Sequence, residues 1–176
     1  SRTGDAINQY AFTEMSALSS ITPIALGAGQ DRRALLAAYN YLIIGAIGAT
    51  FYVIGVGYLY AATGSLNLID IVDRLNELGT NQAAITGLAF MLAGIMVKAG
   101  VFPVHIWLPA AYSYAPSAVS SLLAAVATKV AIYYFARLLF GIFIDITQLV
   151  DFFLSYILMP VSVLAIFYGT IAAIYQ

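Results

Sequence analysis

Long apolar runs separated by short polar stretches make up most of the chain. Arg33 and Asp70 enclose roughly thirty-five residues without a charged side chain, and about 20 apolar residues suffice to cross a bilayer as a helix. The apolar runs predict about five membrane-spanning helices, at residues 6–27, 34–62, 83–108, 118–140 and 149–175. We therefore expect an all-α, polytopic membrane protein.

The stretch "NLIDIVDRLNELG" between the second and third runs has a different pattern. One helical face is apolar and the other is charged, as in helices that lie on a membrane surface. The apolar face carries Leu68, Ile71, Val72, Leu75 and Leu78, and the charged face carries Asp70, Asp73, Arg74 and Glu77. These residues predict a short surface helix at about residues 67–78.

The segment "MVKAGVFPVHIWLP" interrupts the third apolar run. Proline cannot donate a backbone hydrogen bond and glycine favours bending, so Pro103 and Gly100 predict a helix broken near residues 99–103. A helix from Ala83 to Lys98 would be about 24 Å long, which is short of the ~30 Å hydrocarbon core. Broken helices at membrane depth are tolerated where they are buried in protein or line a wet cavity, and they often mark transport sites.

Three charged residues fall inside the apolar runs: Glu14, Lys98 and Lys129. Placing each of these charges inside a membrane helix costs roughly 2.5 to 3.5 kcal/mol on insertion scales. Three such costs indicate that the charges have a function. The functional interpretation makes them part of a transport site. The alternatives are that the lysine near the helix end extends its stem to water, or that Glu14 and a lysine form a buried pair that only joins helices.

His105 follows the predicted break and is open to two interpretations. It is either an accessory group in proton transfer or a loop residue hydrogen-bonded to the backbone.

Composition agrees with a membrane protein and excludes several kinds of site. The chain is 62% hydrophobic and 9% charged, with a formal net charge of −1, so no nucleic-acid partner is expected. The absence of cysteine excludes disulfides and iron–sulfur ligation by this chain, and a single histidine supplies no zinc or haem site. We expect no metal, no cofactor and no catalytic chemistry in the chain itself. Because it begins with Ser1 and lacks a signal-peptide pattern, we expect a piece of a longer polypeptide.

Three segments carry a resemblance to a known family: "TGDAINQYAFTEMSALSSITPIALG", "GATFYVIGVGYLYAATGSLNLIDI" and "IMVKAGVFPVHIWLPAAYSYAPSAVSSLLAAVATKVAIYYFARLLF". They resemble the antiporter-like membrane subunits shared by proton-pumping NADH:quinone oxidoreductase (complex I), membrane-bound hydrogenases and Mrp-type cation/proton antiporters. The sequence looks most similar to the D-type subunits of the Mrp antiporters. Such subunits contain two inverted five-helix repeats, and this piece looks like most of the first repeat and the first helix of the next.

The resemblance implies roles for the three intramembrane charges. Glu14 and Lys98 would form an electrostatic switch, and Lys129 would be the next relay group. One departure is Ala110, which follows "WLP" where the family commonly has Asp or Asn. Because desolvation disfavours a buried ammonium and a nearby carboxylate stabilises it, moving Glu14 relative to Lys98 would load or release a proton.

We therefore expect a proton-translocating subunit of an Mrp-type Na⁺/H⁺ antiporter, with other membrane subunits as partners, in the inner cell membrane. One alternative is a pumping subunit of complex I or a membrane hydrogenase, in which case the chain would belong to an enzyme complex. An alternative of another class is a structural membrane anchor whose charges only join helices.

Overall fold

The computed structural model describes residues 4–29, 32–78, 81–142 and 147–175. Over these residues the chain is helical, and its only extended element is an isolated antiparallel bridge between Asp5 and Asn67. The expected all-α class is confirmed. The helices, in chain order, are α1 (Ala6–Ala25), α2 (Arg33–Thr63), α3 (Leu68–Leu78), α4 (Gln82–Ala99), α5 (Trp107–Tyr114), α6 (Ser117–Leu122), α7 (Thr128–Arg137), α8 (Thr147–Phe152) and α9 (Met159–Tyr175).

Several of these helices are continuous with one another through wider π-helical turns. The π turn Leu123–Ala127 joins α6 to α7, and Phe153–Leu158 joins α8 to α9. A further π turn, Leu138–Ile142, extends α7. No Gly or Pro falls within residues 117–137. The π turn Leu123–Ala127 is therefore not caused by a helix-breaking residue in its own sequence.

Four helices in the described residues are long and apolar enough to cross a membrane, where the sequence predicted about five. They are Arg33–Thr63, Gln82–Ala99, Ser117–Phe140 and Val150–Tyr175. The remaining predicted span is α1, a 20-residue helix with Pro23 inside it. Its amide, hydroxyl and carboxylate side chains lower its hydropathy, which separates it from the other four.

Helices α2 and α4 are in direct backbone contact, because glycines of the two helices face each other. A Cβ added at Gly55 would lie 2.5 Å from the carbonyl oxygen of Gly87, and one at Gly94 would lie 2.5 Å from that of Gly48. Small residues of this kind let two helix backbones approach closely inside a membrane. Helix α1 packs against α2 on one side, and α7 packs against α4.

The amphipathic helix α3 lies across one end of this bundle. Its apolar side chains, Leu68, Ile71, Val72 and Leu75, are buried in the core. Asn67 caps it, because the Asn67 side chain accepts a hydrogen bond from the N–H of Ile69 at 3.1 Å. Asp70, Asp73 and Glu77 are exposed, so these residues divide between two faces as the pattern predicts, and the side chain of Leu78 lies outside the described part of the chain.

Helix α9 contributes no buried residue, in contrast to α2 and α4. Its aromatic contact with the rest of the described chain is through Tyr168, whose ring lies 5.4 Å from that of Phe102. The bundle that positions the charged residues therefore consists of α1, α2, α4, α5 and α7.

Candidate functional site: an ion pair at a helix break

The break in the third predicted helix runs from Gly100 to Ile106. Helix α4 ends at Ala99, one residue further than predicted, and α5 begins at Trp107. Helix α5 also continues beyond the predicted end at residue 108, to Tyr114. Pro109 is accommodated because it lies in the first turn of α5, where backbone N–H groups lack helical partners in any case.

Gly100 ends α4 in a left-handed conformation, with φ of 68°. Its N–H donates to the carbonyl of Val97 at 3.2 Å, and the N–H of Val101 donates to that of Met96 at 3.0 Å. This is the Schellman arrangement, which satisfies carbonyls left free at a helix end. The indole N–H of Trp107 also donates to Val97 at 3.3 Å, so α5 is tied back to the end of α4.

Lys98 lies in the last turn of α4, directly before the break. Its ammonium donates a hydrogen bond to Oε1 of Glu14 and forms an ion pair with that carboxylate. The Lys98 and Glu14 side chains are 17% and 22% exposed, respectively. A cation at a helix C-terminus is also stabilised by the partial negative charge of the free carbonyls. The fold therefore brings together two of the three predicted charges, from residues 84 positions apart.

A cavity of about 160 Å³ lies beside this ion pair, and we call it the pair cavity. It is large enough to hold several water molecules. Its walls are mainly apolar and come from α1, α2, α4, α5 and the segment around α7: Phe12, Thr13, Ser16, Ala17, Tyr41, Gly45, Val97, Lys98, Trp107, Val126, Ala127, Val130 and Ala131. The polar side-chain groups of these lining residues are the hydroxyls of Thr13, Ser16 and Tyr41, the indole N–H of Trp107 and the ammonium of Lys98.

Lys129 does not contact the ion pair. Its side chain is exposed and has no hydrogen-bond partner among the described residues. Its neighbours Val130 and Ala131 do line the pair cavity, so Lys129 lies on the helix that closes that cavity. In the π turn directly before α7, the carbonyl of Leu123 accepts a hydrogen bond from the Tyr112 hydroxyl at 3.3 Å.

His105 lines a different cavity, of about 580 Å³, between the break and α9. Its ring lies 5.5 Å from the rings of both Phe102 and Tyr168. Its Nδ1 is buried without a hydrogen-bond partner among the described residues. His105 and Lys98 thus belong to separate cavities.

Two aromatic residues that the sequence pattern did not single out help to hold the site. The ring of Trp107 meets that of Tyr41 edge-on at 5.3 Å, which packs the start of α5 against α2. Aromatic residues are frequent in the apolar runs, so nothing in their spacing distinguishes these two before the helices are packed.

The family of the chain is decided by comparison with known proteins. A family model described as NADH:quinone oxidoreductase/Mrp antiporter, TM, matches residues 3–176. The chain belongs to this family.

The curated relatives of this chain include both NADH-quinone oxidoreductase subunits and Na(+)/H(+) antiporter subunits. The chain is 48% identical to the N subunit of the NADH-quinone oxidoreductase of Desulforudis audaxviator over 138 residues, which are 78% of this chain and 27% of the relative. It is 34% identical to the D subunit of the Na(+)/H(+) antiporter of Bacillus subtilis over 173 residues, which are 98% of this chain and 34% of the relative. The chain thus spans about a third or less of the relatives it matches.

Two solved structures agree with the fold. The chain matches the membrane-bound sulfane sulfur reductase, an archaeal respiratory membrane complex, with a TM-score of 0.71 and 31% identity over 77% of this chain and 27% of that one. It matches the Mrp complex from Dietzia sp. DQ12-45-1b with a TM-score of 0.67 and 28% identity over 76% of this chain and 25% of that one. The resemblance stated from the sequence is confirmed: the chain is a multi-pass membrane protein with the antiporter-like fold.

Proposed function

We propose that the chain is part of a proton-translocating subunit of an Mrp-type Na⁺/H⁺ antiporter. Protons pass through a relay in which Glu14 controls the charge of Lys98, and Lys129 is the next group. The observation that carries the proposal is the ion pair at the end of a broken membrane helix, beside a cavity that reaches α7. The family relationship supports it, because one curated relative is the D subunit of a Na(+)/H(+) antiporter.

The residue types suit this role. Both lysines of the chain lie inside candidate membrane spans, in Gln82–Ala99 and Ser117–Phe140. A lysine releases its proton readily when desolvated, whereas an arginine stays charged. Moving the Glu14 carboxylate toward Lys98 stabilises the ammonium, and withdrawing it favours release of the proton.

The helix break allows α5 to move relative to α4. Residues 100–106 are held to α4 by backbone bonds and by the Trp107 indole rather than by continuous helix. A small rotation of α5 would change the carbonyl environment at the end of α4, where Lys98 lies. We propose that this coupling links proton transfer at Lys98 to the cavity that α7 closes.

A second candidate function is supported by a specific observation, the 48% identity to the N subunit of an NADH-quinone oxidoreductase. In that case the same relay would work in a respiratory complex driven by electron transfer. Both candidates place the subunit among other membrane subunits in the inner cell membrane. Sodium-dependent exchange by the isolated complex favours the antiporter, and NADH-dependent proton uptake favours the respiratory complex.

The experiment that tests the relay compares Lys98→Arg with Glu14→Gln in the full-length complex. Proton-coupled exchange is measured in everted vesicles and normalised to assembled complex on native gels. We expect both variants to assemble and both to lose most of the exchange. In Lys98→Arg, the arginine keeps the charge and the ion pair but does not release a proton. In Glu14→Gln, the carboxylate that stabilises the ammonium is gone. Glu77→Gln is the matched control, since it removes an exposed carboxylate from α3 and should leave exchange intact.

The structural-anchor alternative predicts the opposite pattern. Arginine would then be tolerated at position 98, and Glu14→Gln would chiefly reduce the amount of assembled complex. Near-normal exchange by the Lys98→Arg complex would show that Lys98 is a fixed charge and not a proton carrier.

A further inference from the structure

Two tyrosine hydroxyls meet in the core on the side of the bundle that faces α3. The Oη atoms of Tyr52 in α2 and Tyr134 in α7 lie 2.6 Å apart, and the two residues are only 5% and 8% exposed. The Tyr52 hydroxyl also lies 3.2 Å from the carbonyl oxygen of Ala6, in the first turn of α1. A carbonyl can only accept, so Tyr52 donates to Ala6 and accepts from Tyr134.

The Tyr52 ring makes a second contact with α1, one turn further along. It stacks on the ring of Tyr10, with centroids 6.2 Å apart and planes 8° apart. Residues four apart lie on the same face of a helix, so Ala6, Tyr10 and Glu14 occupy one face of α1. Tyr52 therefore holds α1 at the two turns that precede Glu14.

The backbone of Tyr52 touches the other helix of the ion pair. A Cβ added at Gly94 would lie 2.7 Å from the Tyr52 backbone nitrogen, so the two helices are in direct contact there. Gly94 lies one turn before Lys98 on α4. A single residue thus contacts α1 ahead of Glu14 with its side chain and α4 ahead of Lys98 with its backbone.

We propose that Tyr52 is a positioning residue for the Glu14–Lys98 ion pair, and that Tyr134 holds the Tyr52 hydroxyl in place from α7. This inference rests on the proposed function, in which the distance between that carboxylate and ammonium decides whether the proton is kept. It adds a link from α7, the helix of Lys129, to the position of α1.

Removing the hydroxyls should affect transport unequally. Tyr52→Phe loses the bond to Ala6 and leaves the Tyr134 hydroxyl buried without its partner, while the ring stack remains. Tyr134→Phe leaves the Tyr52–Ala6 bond intact. We expect exchange per assembled complex to fall by about threefold to tenfold in Tyr52→Phe, which is the usual effect of one hydrogen bond, and by less in Tyr134→Phe.

The pH profile separates positioning from a general structural role. In Tyr52→Phe, Glu14 is held less firmly and stabilises the Lys98 ammonium less. The pH of half-maximal exchange should therefore fall by roughly half to one unit. The other titratable side chains on the helices packed around the pair are one lysine, two arginines and ten tyrosines: Lys129 and Arg137 on α7, Arg33 on α2, and Tyr10, Tyr39, Tyr41, Tyr52, Tyr58, Tyr60, Tyr112, Tyr114, Tyr133 and Tyr134. The reference pKa values of these residue types are about 10 or higher, and His105 lines the separate cavity.

The experiment measures exchange against pH in everted vesicles that carry the full-length complex. The variants are Tyr52→Phe, Tyr134→Phe and the control Tyr60→Phe, which removes a hydroxyl from a residue that is 52% exposed on the same helix. We expect an acid shift in the first, a smaller one in the second and none in the control. An unchanged profile in Tyr52→Phe, in a complex that Glu14→Gln still inactivates, overturns the positioning role and leaves the relay standing.

A second measurement does not depend on transport. The chain has no native cysteine, so Glu14→Cys and Lys98→Cys can be introduced together and joined with a short bifunctional thiol reagent, in a complex whose other cysteines are replaced. We expect efficient cross-linking, and a clear reduction when Tyr52→Phe is added but not when Tyr60→Phe is added. Equal cross-linking in all three backgrounds contradicts the proposal, even if the relay itself fails its own test.

Discussion

The contact between α2 and α4 leads to a quantitative prediction at Gly55. An alanine Cβ there would lie 2.5 Å from both the carbonyl oxygen of Gly87 and the backbone nitrogen of Met91. Ordinary contact begins at 3.4 Å, so the two helices would have to separate locally by about 0.9 Å. The obstructing atoms belong to backbone, which cannot rotate away as a side chain does.

Gly57 provides a matched control two residues away on the same helix. A Cβ at Gly57 meets nothing within 4 Å. Alanine is favoured over glycine in a helix by roughly 1 kcal/mol, and this gain applies at both positions and cancels in the comparison. Overpacking a well-packed site costs about 1 to 3 kcal/mol, so Gly55→Ala should be less stable than Gly57→Ala by that amount.

The assay is the free energy of unfolding of the full-length subunit, followed by titrating mixed micelles with SDS. Gly94→Ala should behave like Gly55→Ala, because its Cβ would lie 2.5 Å from the carbonyl of Gly48. If Gly55→Ala and Gly57→Ala unfold with the same free energy, the helices are not in backbone contact and the reasoning is refuted.

Two further predictions concern helix ends. Gly100→Ala and Gly64→Ala each place a side chain at a positive φ, of 68° and 70°, and should each lose about 1 to 2 kcal/mol in the same unfolding assay. Only Gly100→Ala should also reduce proton-coupled exchange, because Gly100 shapes the break beside Lys98 and its Cβ would lie 2.6 Å from Leu108; equal exchange by the two variants would contradict that role. Asn81→Ala removes the side chain that accepts from the N–H of Ala84 at 2.8 Å at the start of α4, and should cost about 1 kcal/mol of stability, which Asn81→Asp should largely retain.

The helices and the break were predictable because their causes are local. An uncharged run forms a spanning helix whatever surrounds it, since the backbone must satisfy its own hydrogen bonds in lipid. Gly100 and Pro103 act on the bonds of their own turn, so the break was predictable, although its extent to Ile106 was not. That extent depends on where the Trp107 indole finds an acceptor, which is a contact across the break.

The choice among the charged residues required the packed structure. Sequence alone marked Glu14, Lys98 and Lys129 as costly in a membrane, by one rule applied equally to all three. Helices α1 and α4 both pack against α2, which joins Glu14 to Lys98 and leaves Lys129 exposed. His105 was left between two interpretations, and the fold places it beside Phe102 and Tyr168, away from the pair.

By itself, the sequence determined that this chain is an all-helical membrane protein with charges inside its membrane segments and an interrupted helix next to one of them. Those properties follow from hydropathy and backbone chemistry, which act over a few residues. The tertiary structure decided which charges meet, and it showed that Tyr52 contacts both helices of the ion pair. Such contacts depend on how closely helix backbones approach each other, and glycines such as Gly55 and Gly94 permit that approach only when they face a partner of the right shape.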